Sequence, residues 1–518
     1  MKNFIILLFA TIVFVNNSNA QMKSESIDSL VKNVLKTFDV PGISVGIVKD
    51  GKLIFAKGYG VRSLKNNLPV DENTLFGIAS NSKAFTASAL AMLIDEGKLK
   101  WDDKVTDYLA GFKMYDSYVT ESFTIRDLLT HRSGLGLGSG DLMFFPDGST
   151  FTKEDVLHNL RYLKQVSSFR SKYDYDNNLY IIAGLVIEKV SGLSWEEFIE
   201  QRIMKPVGFT TSTASYNRVK NNANIIDAHA PADGKVIMIP HDWNPIANPA
   251  GGIMSNITDL SKWLIVQMSD GKLENGKQLF SKENHTEMWT PQTIIKSAGG
   301  PYNVHFSSYG LGWFLADVKG YKQVSHTGGL AGTVTQITML PELKLGIIVL
   351  TNQQQGAAFS AITNTIKDSY LGYPNRNWVS TLSKRVQGGF DEAKKINENI
   401  AKDIAAQEKM GRVKIADSLL VGKYKDNWFG KVTISSKQGG LWFSSEKSPR
   451  LNGYISAYKA NTFIVKWTDR SLDADAFIIF SMDRNGKADG FKMEAISDRK
   501  STRLNSSHRN TSRMPSSA

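Results

Sequence analysis

The 518-residue sequence contains no cysteine. This absence excludes disulfide bonds, zinc–thiolate sites and a cysteine nucleophile. Histidine is scarce, with eight residues, and the spacing of His131, His229, His241 and His305 does not match a metal-binding pattern. We therefore expect neither a metal site nor a bound cofactor, and we interpret these histidines as structural or surface residues.

Beyond its start, the chain lacks any apolar run long enough to span a membrane. Residues 1–20 combine a basic beginning, a short apolar run and the small residues Ser18 and Ala20. This pattern predicts a Sec-type signal peptide that is cleaved before Gln21. We expect a bacterial protein that is periplasmic or secreted and has no integral membrane segment in its mature form.

The formal net charge is +12, but the basic residues form no cluster of the kind that binds nucleic acid. Part of the excess lies in residues 498–518, which resemble the translation of a sequencing adapter and show no apolar periodicity. We expect this segment to be an artefact. A glycine-rich run at 134–140 fits neither the dinucleotide nor the phosphate-loop spacing, so a nucleotide site is not expected.

The most informative stretch begins at Ser80 and runs to Gly97. Small and apolar residues between Lys83 and Asp95 predict a buried helix that starts near Ser80 and ends before Gly97. Residues three apart share one face of a helix, so the Lys83 amine can approach the Ser80 hydroxyl. A lysine that burial has made less basic can accept the proton of a serine, which predicts a nucleophile.

The Ser-x-x-Lys spacing alone is weak evidence, because it recurs elsewhere in the chain. The other matches are Ser29/Lys32, Ser269/Lys272, Ser444/Lys447, Ser456/Lys459 and Ser497/Lys500. At most such sites the serine caps a helix and the lysine is solvated. Lys83 differs because it alone precedes a long uncharged run.

Two later motifs strengthen the case. Tyr175 and Asn177 form a Tyr-x-Asn motif ahead of an apolar helical segment that ends at Gly192. Taken alone, this motif is also compatible with an aromatic residue followed by a helix-capping asparagine. His326 and Thr327 begin a His-Thr-Gly motif, which precedes two β-rich runs at 334–340 and 345–351 that predict a hairpin.

Ser-x-x-Lys, Tyr-x-Asn and His-Thr-Gly in this order resemble the motifs of the serine β-lactamase and penicillin-binding protein superfamily. Within it, the chain is similar to the branch related to class C β-lactamases and D-alanyl-D-alanine carboxypeptidases. Three further segments match, at 124–135, 248–255 and 309–313. The resemblance covers roughly residues 25–370.

The resemblance implies roles for the motif residues. Ser80 would be the nucleophile, Lys83 its proton partner and Tyr175 the base for attack and for water activation. Asn177 would orient Lys83 and the substrate amide. The backbone N–H groups of Ser80 and Gly329 would form an oxyanion hole, and one donor of this kind is typically worth about 10²–10³ in rate.

The remaining predicted substrate-binding residues are His326, Thr327 and Gly328, which lie with Gly329 on the third motif. His326 replaces the lysine of most β-lactamases. An unperturbed histidine has a pKa of about 6.5, so it would offer a substrate carboxylate a full charge only at lower pH. This change disfavours strong β-lactam hydrolysis, and the resemblance points instead to the peptidase and esterase members.

The fold class that we expect is α+β. An amphipathic helix at 27–38 precedes two strands, 42–49 and 52–58, which join at Asp50 and Gly51. Together with the hairpin at 334–351 they would form one antiparallel sheet flanked by helices. The middle of the chain would form an all-helical lobe, with the site between the two.

The predicted domains are a signal peptide at 1–20, the hydrolase domain at 21–372 and a helical linker at 373–418. Short β runs at 419–497 predict a small all-β, barrel-like domain. It resembles the lipocalin-like module appended to such hydrolases. Because the expected artefact begins at 498, we expect that the last strand of this domain is missing.

We conclude that the sequence predicts a secreted serine hydrolase with an acyl-Ser80 intermediate. Its substrate would be an amide or ester in a D-amino-acid peptide, and cell-wall peptides are among the candidates. A carboxylesterase or weak β-lactamase on the same residues is the second interpretation. The non-enzymatic alternative is a penicillin-binding sensor that is acylated but turns over slowly.

Overall fold

The computed structural model describes residues 22–220, 224–232, 234–241, 243–297, 299–409, 415–437, 440–472, 475–496 and 512–515. The predicted signal peptide at 1–20 lies outside these residues, as does most of the predicted artefact at 498–518. No helix in the described part of the chain is both long and apolar enough to span a bilayer.

One antiparallel sheet organises the first domain. The strands of this domain are β1 Gly42–Lys49, β2 Lys52–Gly60, β3 Phe76–Gly77, β4 Ala228–Ala232, β5 Lys235–Ile239, β6 Met254–Ser255, β7 Thr293–Ile295, β8 Ser307–Tyr309, β9 Phe314–Val318, β10 Tyr321–Leu330, β11 Thr333–Leu340 and β12 Leu345–Thr351. The sheet has the order β2-β1-β12-β11-β10-β9-β8-β7, and β3/β6 and β4/β5 form separate pairs. Val45 lies opposite both Lys57 and Val349, so the predicted pairing of the first hairpin with the last is confirmed.

The first hairpin shows why the sequence folds this way. β1 is buried along almost its whole length, as its apolar run requires, whereas β2 alternates between exposed and partly buried residues. Asp50 and Gly51 both have positive φ, 51° and 74°. A tight hairpin turn of the kind that matches strand twist needs this conformation at both central residues.

Helices cover both faces of the sheet. They are α1 Ser24–Phe38, α2 Lys83–Asp95, α3 Val105–Tyr108, α4 Ser117–Ser122, α5 Ile125–Leu129, α6 Lys153–Asn159, α7 Asn178–Ser191, α8 Trp195–Phe198, α9 Lys205–Val207, α10 Asn248–Gly251, α11 Ile257–Met268, α12 Lys282–Met288, α13 Gly356–Leu371 and α14 Trp378–Lys409. One hydrophobic cluster joins α1 and α13 to one side of the sheet. On the other side Ile257 of α11 lies so close to Gly46 of β1 that a Cβ there would clash. The helical lobe is continuous with this second side.

The predicted core helix is α2, and it is confirmed. Every residue from Lys83 to Leu93 is buried, and the Phe85 ring stacks on Trp263 of α11 with ring centres 4.1 Å apart. The helix ends at Asp95, and Gly97 follows with a φ of 69°. Glycine takes this left-handed conformation without steric cost, which explains the stop.

A second domain follows the charged helix α14, which occupies most of the predicted linker. Its strands are β13 Gly422–Asp426, β14 Gly430–Lys437, β15 Gly440–Ser445, β16 Asn452–Lys459, β17 Thr462–Trp467, β18 Ala476–Met482, β19 Ala488–Ala495 and β20 Ser512–Pro515. Strands β13 to β19 form a nearly closed antiparallel barrel, as the sequence predicted. The packed rings of Tyr424, Phe443, Phe480 and Phe491 are almost fully buried within it.

Strand β20 falls inside the segment that we interpreted as an artefact. It pairs with β19, with Met514 opposite Phe491. This pairing places a strand where we expected the last one to be missing. The origin of residues 498–518 and the likeness of the barrel to lipocalins both stay predictions.

The barrel docks on the helical lobe. The Thr150 N–H donates to the Lys447 carbonyl at 2.8 Å, and the buried Asn159 amide donates to the Trp428 carbonyl at 2.9 Å. The rings of Phe151 and Phe429 lie 6.4 Å apart. These contacts fix residues 150–159 of the lobe against two turns of the barrel.

We predict that Asn159→Ala weakens this interface more than Lys447→Ala does. The first change removes a buried hydrogen bond, at a cost of about 1–3 kcal/mol. The second removes a half-exposed ion pair to Asp155, which is worth about 0–1 kcal/mol. Urea unfolding followed by tryptophan fluorescence measures both, and equal losses would contradict the importance of the buried contact.

Candidate active site

Ser80 lies on a tight 3₁₀ turn, Ala79–Ser82, which leads directly into α2. Ala79 has a φ of 51°, an uncommon conformation for a residue other than glycine. The sheet holds this turn, because the Thr335 hydroxyl of β11 donates to the Ile78 carbonyl at 3.0 Å and accepts from the Asn81 amide at 2.8 Å. The nucleophile predicted from the sequence therefore stands on a strained turn anchored to the sheet.

Lys83 is completely buried and has three oxygen neighbours. Its Nζ lies 3.1 Å from Ser80 Oγ, 2.8 Å from Asn177 Oδ1 and 2.8 Å from the Ala250 carbonyl oxygen. A neutral amine has two N–H donors and one lone pair. The two carbonyl oxygens can only accept, so in the neutral form of Lys83 the lone pair is left for the Ser80 hydroxyl, whereas the ammonium donates to all three oxygens.

Tyr175 contacts both the nucleophile and the Lys83 amine, whose Nζ lies 4.9 Å from the Tyr175 ring centre. Its hydroxyl donates to Ser80 Oγ at 2.7 Å. Tyr173, Tyr175 and Asn177 are all partly exposed and alternate with buried residues, so all three side chains face the cleft. The structure thus brings together Ser80, Lys83, Tyr175 and Asn177 from motifs about 95 residues apart.

Asp141 was not identified from the sequence. Its carboxylate accepts a hydrogen bond from Asn177 Nδ2 at 3.1 Å, and this bond fixes which end of the Asn177 amide faces Lys83. The glycine-rich run at 134–140 brings Asp141 to this position. At Gly140, whose φ is 75°, a Cβ would lie 2.8 Å from the Asn178 side chain, so the close approach requires glycine.

His326 corrects one of our expectations. We expected a histidine that titrates near neutrality, but burial, aided by the Lys83 charge, lowers its pKa to about 3. Its Nδ1 lies 2.6 Å from the Thr327 carbonyl oxygen and therefore carries the proton, while Nε2 accepts from the Tyr309 hydroxyl at 2.9 Å. His326 is thus a neutral, hydrogen-bonded part of the wall near neutral pH.

The rest of the third motif lies on β10 beside the turn of the nucleophile. A Cβ at Gly328 would lie 2.2 Å from the Ile78 carbonyl oxygen, so the strand and the turn are in close contact. Thr327 is partly exposed and Gly329 is exposed on the same strand. The oxyanion-hole role of the Ser80 and Gly329 N–H groups stays a prediction.

Comparison with known families agrees with this geometry. Residues 27–371 match the Beta-lactamase family, which is more than half of the chain. The chain belongs to the Beta-lactamase family. Residues 418–506 match a second family, described as a domain of unknown function (DUF3471), and this range contains the barrel strands β13 to β19.

Among curated relatives, the chain is 28% identical over 334 residues to an unguisins hydrolase from Aspergillus campestris, which covers 62% of this chain and 60% of the relative. Among solved structures, an octameric penicillin-binding protein homologue from Pyrococcus abyssi has a TM-score of 0.61 and 23% identity, over 92% of this chain and 99% of that one. A class C β-lactamase has a TM-score of 0.55 and 21% identity, over 68% and 96% respectively. The structural matches show the fold alone, and this chain spans 60–64% of the length of its first curated relatives.

The electrostatics of this Beta-lactamase-family site favour a neutral lysine. Burial lowers the pKa of Lys83 to about 7, although the carboxyl groups of Asp141 and Asp176 act in the opposite direction. Burial and the Asp141 charge raise the pKa of Asp176 to about 8. Burial also raises the pKa of Tyr175 well above its ordinary value, so this phenol is protonated near neutrality. Lys83, rather than an ionised Tyr175, is therefore the group that can accept the serine proton.

His131 is a second residue whose position the sequence did not reveal. Its ring packs against Tyr175 with ring centres 4.2 Å apart, and its Nδ1 accepts from the Asp176 N–H at 3.1 Å. Burial and the nearby Lys83 charge lower its pKa well below the ordinary value. The segment at 124–135 contains this histidine and already matched the superfamily, so that match was the available signal.

The other Ser-x-x-Lys matches have different surroundings. Lys447 pairs with Asp155, and Lys459 pairs with Asp403. Both lysines are more than one third exposed, whereas Lys83 is completely buried. Ser497 and Lys500 lie outside the described residues.

We predict that acylation of Ser80 by a fluorophosphonate probe becomes faster as pH rises through about 7, because Lys83 accepts a proton only after losing its own. Lys83→Arg, which stays charged, should slow acylation by about 10²-fold or more. Second-order labelling rates between pH 5.5 and 9 measure both effects.

Two controls make this test specific. Lys367 is a second buried lysine with a pKa of about 7, but it contacts Gln323 and Tyr302 rather than Ser80. In Lys367→Arg the labelling rate of Ser80 should therefore still rise with pH. In Asp176→Asn the labelling rate should also still rise with pH. A profile that is flat between pH 6 and 8 would contradict the role of Lys83.

Proposed function

We propose that the protein is a secreted serine hydrolase that cleaves an amide or ester bond in a D-amino-acid peptide through an acyl-Ser80 intermediate. The observation that carries this proposal is the position of Ser80 Oγ, 3.1 Å from the buried Lys83 amine and 2.7 Å from the Tyr175 hydroxyl. Membership of the Beta-lactamase family supports hydrolase chemistry. The apolar start of the chain supports secretion.

In the acylation step, Ser80 Oγ attacks the substrate carbonyl carbon while its proton passes to the neutral Lys83 Nζ. The carbonyl oxygen becomes an oxyanion, for which backbone N–H groups at the Ser80 turn are the available donors. The tetrahedral intermediate then breaks its bond to the leaving nitrogen or oxygen. The Tyr175 hydroxyl donates its proton to that atom and regains a proton from the Lys83 ammonium, which returns to the neutral amine.

Deacylation runs through the same groups. A water molecule replaces the leaving group beside Tyr175 and attacks the acyl carbon. Its proton passes to the pair formed by Tyr175 and Lys83. Ser80 Oγ leaves and is reprotonated. Because Lys83 and Tyr175 regain their starting protonation, the enzyme can turn over. Similarity to a protein named as an unguisins hydrolase supports turnover rather than a penicillin-binding sensor that is acylated but turns over slowly.

Asn177 would connect this chemistry to the acyl part of the substrate. Its Oδ1 accepts from Lys83, and Asp141 holds its Nδ2. The amide is therefore locked in one orientation before substrate binds, which lowers the entropic cost of reaching the reactive geometry.

We predict that a covalent serine probe labels the tryptic peptide that contains Ser80. Ser80→Ala should reduce hydrolysis of a chromogenic ester by about 10³-fold or more with little change in thermal stability, because the change removes a nucleophile and empties little core volume. Ser269→Ala, at the start of another Ser-x-x-Lys match, is the matched control and should keep full activity. Labelling at Ser269 would refute the assignment.

A further inference from the structure

An uncharged aromatic surface borders Tyr175. Tyr173 and Phe314 are both partly exposed, and their ring centres lie 5.9 Å apart. Behind them Tyr309 and His326 are buried, at 4.9 and 5.1 Å from the Phe314 ring. We call these four residues the aromatic wall. The ring centres of Tyr173 and Tyr175 lie 6.4 Å apart.

None of the four wall residues carries a positive charge near neutral pH. His326 is neutral near pH 7, because both of its ring nitrogens are hydrogen-bonded and burial disfavours the cation. Within the described residues, no ion pair or cation–ring contact joins a lysine or arginine to a member of the wall. Lys172, next to Tyr173 in the chain, lies 3.7 Å from Asp174 instead.

The chemistry of the site determines which part of a substrate meets this wall. The leaving atom must come within hydrogen-bond distance of the Tyr175 hydroxyl, because that hydroxyl returns the proton. The partly exposed Tyr173 ring lies 6.4 Å from the Tyr175 ring and 5.9 Å from the partly exposed Phe314 ring. Groups attached beyond the leaving atom therefore extend over Tyr173 and Phe314.

A carboxylate is poorly suited to this surface. The faces of aromatic rings carry partial negative charge, and a carboxylate that loses water there gains no compensating ion pair. An uncharged amide, ester or ring gains apolar burial against the same surface. The wall thus discriminates by the charge of the leaving group.

We propose that this protein cleaves bonds whose leaving group carries no carboxylate next to the scissile bond, namely esters and internal or cyclic peptide bonds, rather than removing a C-terminal residue. The inference rests on the proposed acyl-serine function. The bond to Ser80 forms and the bond to the leaving group breaks as described above, and no further reactant is needed.

The direct test uses two peptides with the same acyl part and D-alanyl-D-phenylalanine end, one a free acid and the other its primary amide. We expect kcat/KM for the amide to exceed that for the acid by about tenfold or more. The ratio should stay constant between pH 6 and 8, because the titration of Lys83 near pH 7 changes acylation by both substrates alike and neither the substrate carboxylate nor His326 titrates there. An acid that reacts as fast as the amide, or faster, would overturn the proposal.

A second experiment adds a positive charge to the aromatic wall. Phe314→Arg should raise the relative kcat/KM for the acid by about tenfold, because the guanidinium supplies the missing partner. Phe306→Arg is the matched control, since Phe306 is 79% exposed and its ring contacts His305 rather than the wall. It should leave the ratio unchanged. Phe314→Leu, which adds no charge, should also keep the ratio of the natural chain.

The outcomes separate the inference from the function on which it rests. If neither peptide nor any ester is cleaved while Ser80 remains unlabelled, the proposed function fails. If Ser80 is acylated and the acid is preferred, only the leaving-group inference fails. Should Phe314→Arg fail to fold, Tyr173→Arg places the charge on the other exposed ring, and an unchanged ratio in a folded variant contradicts the proposal.

Discussion

The complete burial of one amine, that of Lys83, is the constraint on which the rest of the site depends. Water stabilises an ammonium ion strongly, and a closed protein interior removes that stabilisation. The hydrogen-bond partners of Lys83 are two carbonyl oxygens and one hydroxyl, and a neutral amine can satisfy them with two N–H donors and one lone pair. Because α2 is buried along nearly its whole length, the helix that stabilises the domain also makes its first residue a base near neutral pH.

The two lobes divide the remaining tasks. The sheet holds the nucleophile through the contacts of β10 and β11 with the Ser80 turn, whereas the helical lobe supplies Tyr175, Asn177 and Asp141. The barrel docks on the helical lobe at residues 150–159. Its interior is packed with aromatic rings, which favours a role through surface contact.

The sequence could predict features that depend on short spacing. Helical periodicity predicted the Ser80–Lys83 pair, and turn chemistry predicted the hairpin at Asp50 and with it the antiparallel sheet. The order of the motifs identified the Tyr-x-Asn motif as part of the site. Residue spacing did not place Asp141 or His131 in the site, because only tertiary packing brings them to Asn177 and Tyr175. For His131 the superfamily match of segment 124–135 was the one available signal. The pKa of His326 was missed for the same reason, since it depends on burial by a neighbouring strand and not on residue type.

The central claim is that burial makes Lys83 lose its proton near pH 7, and carbon-13 NMR of the lysine ε-carbons tests it most directly. Exposed lysines titrate near about 10.4, whereas Lys83 and Lys367 should each give a resonance with a midpoint near 7. Lys83→Arg and Lys367→Arg assign the two signals. A midpoint near 7 for the resonance that Lys83→Arg removes is the result that we predict, and a midpoint above 10 would contradict the account.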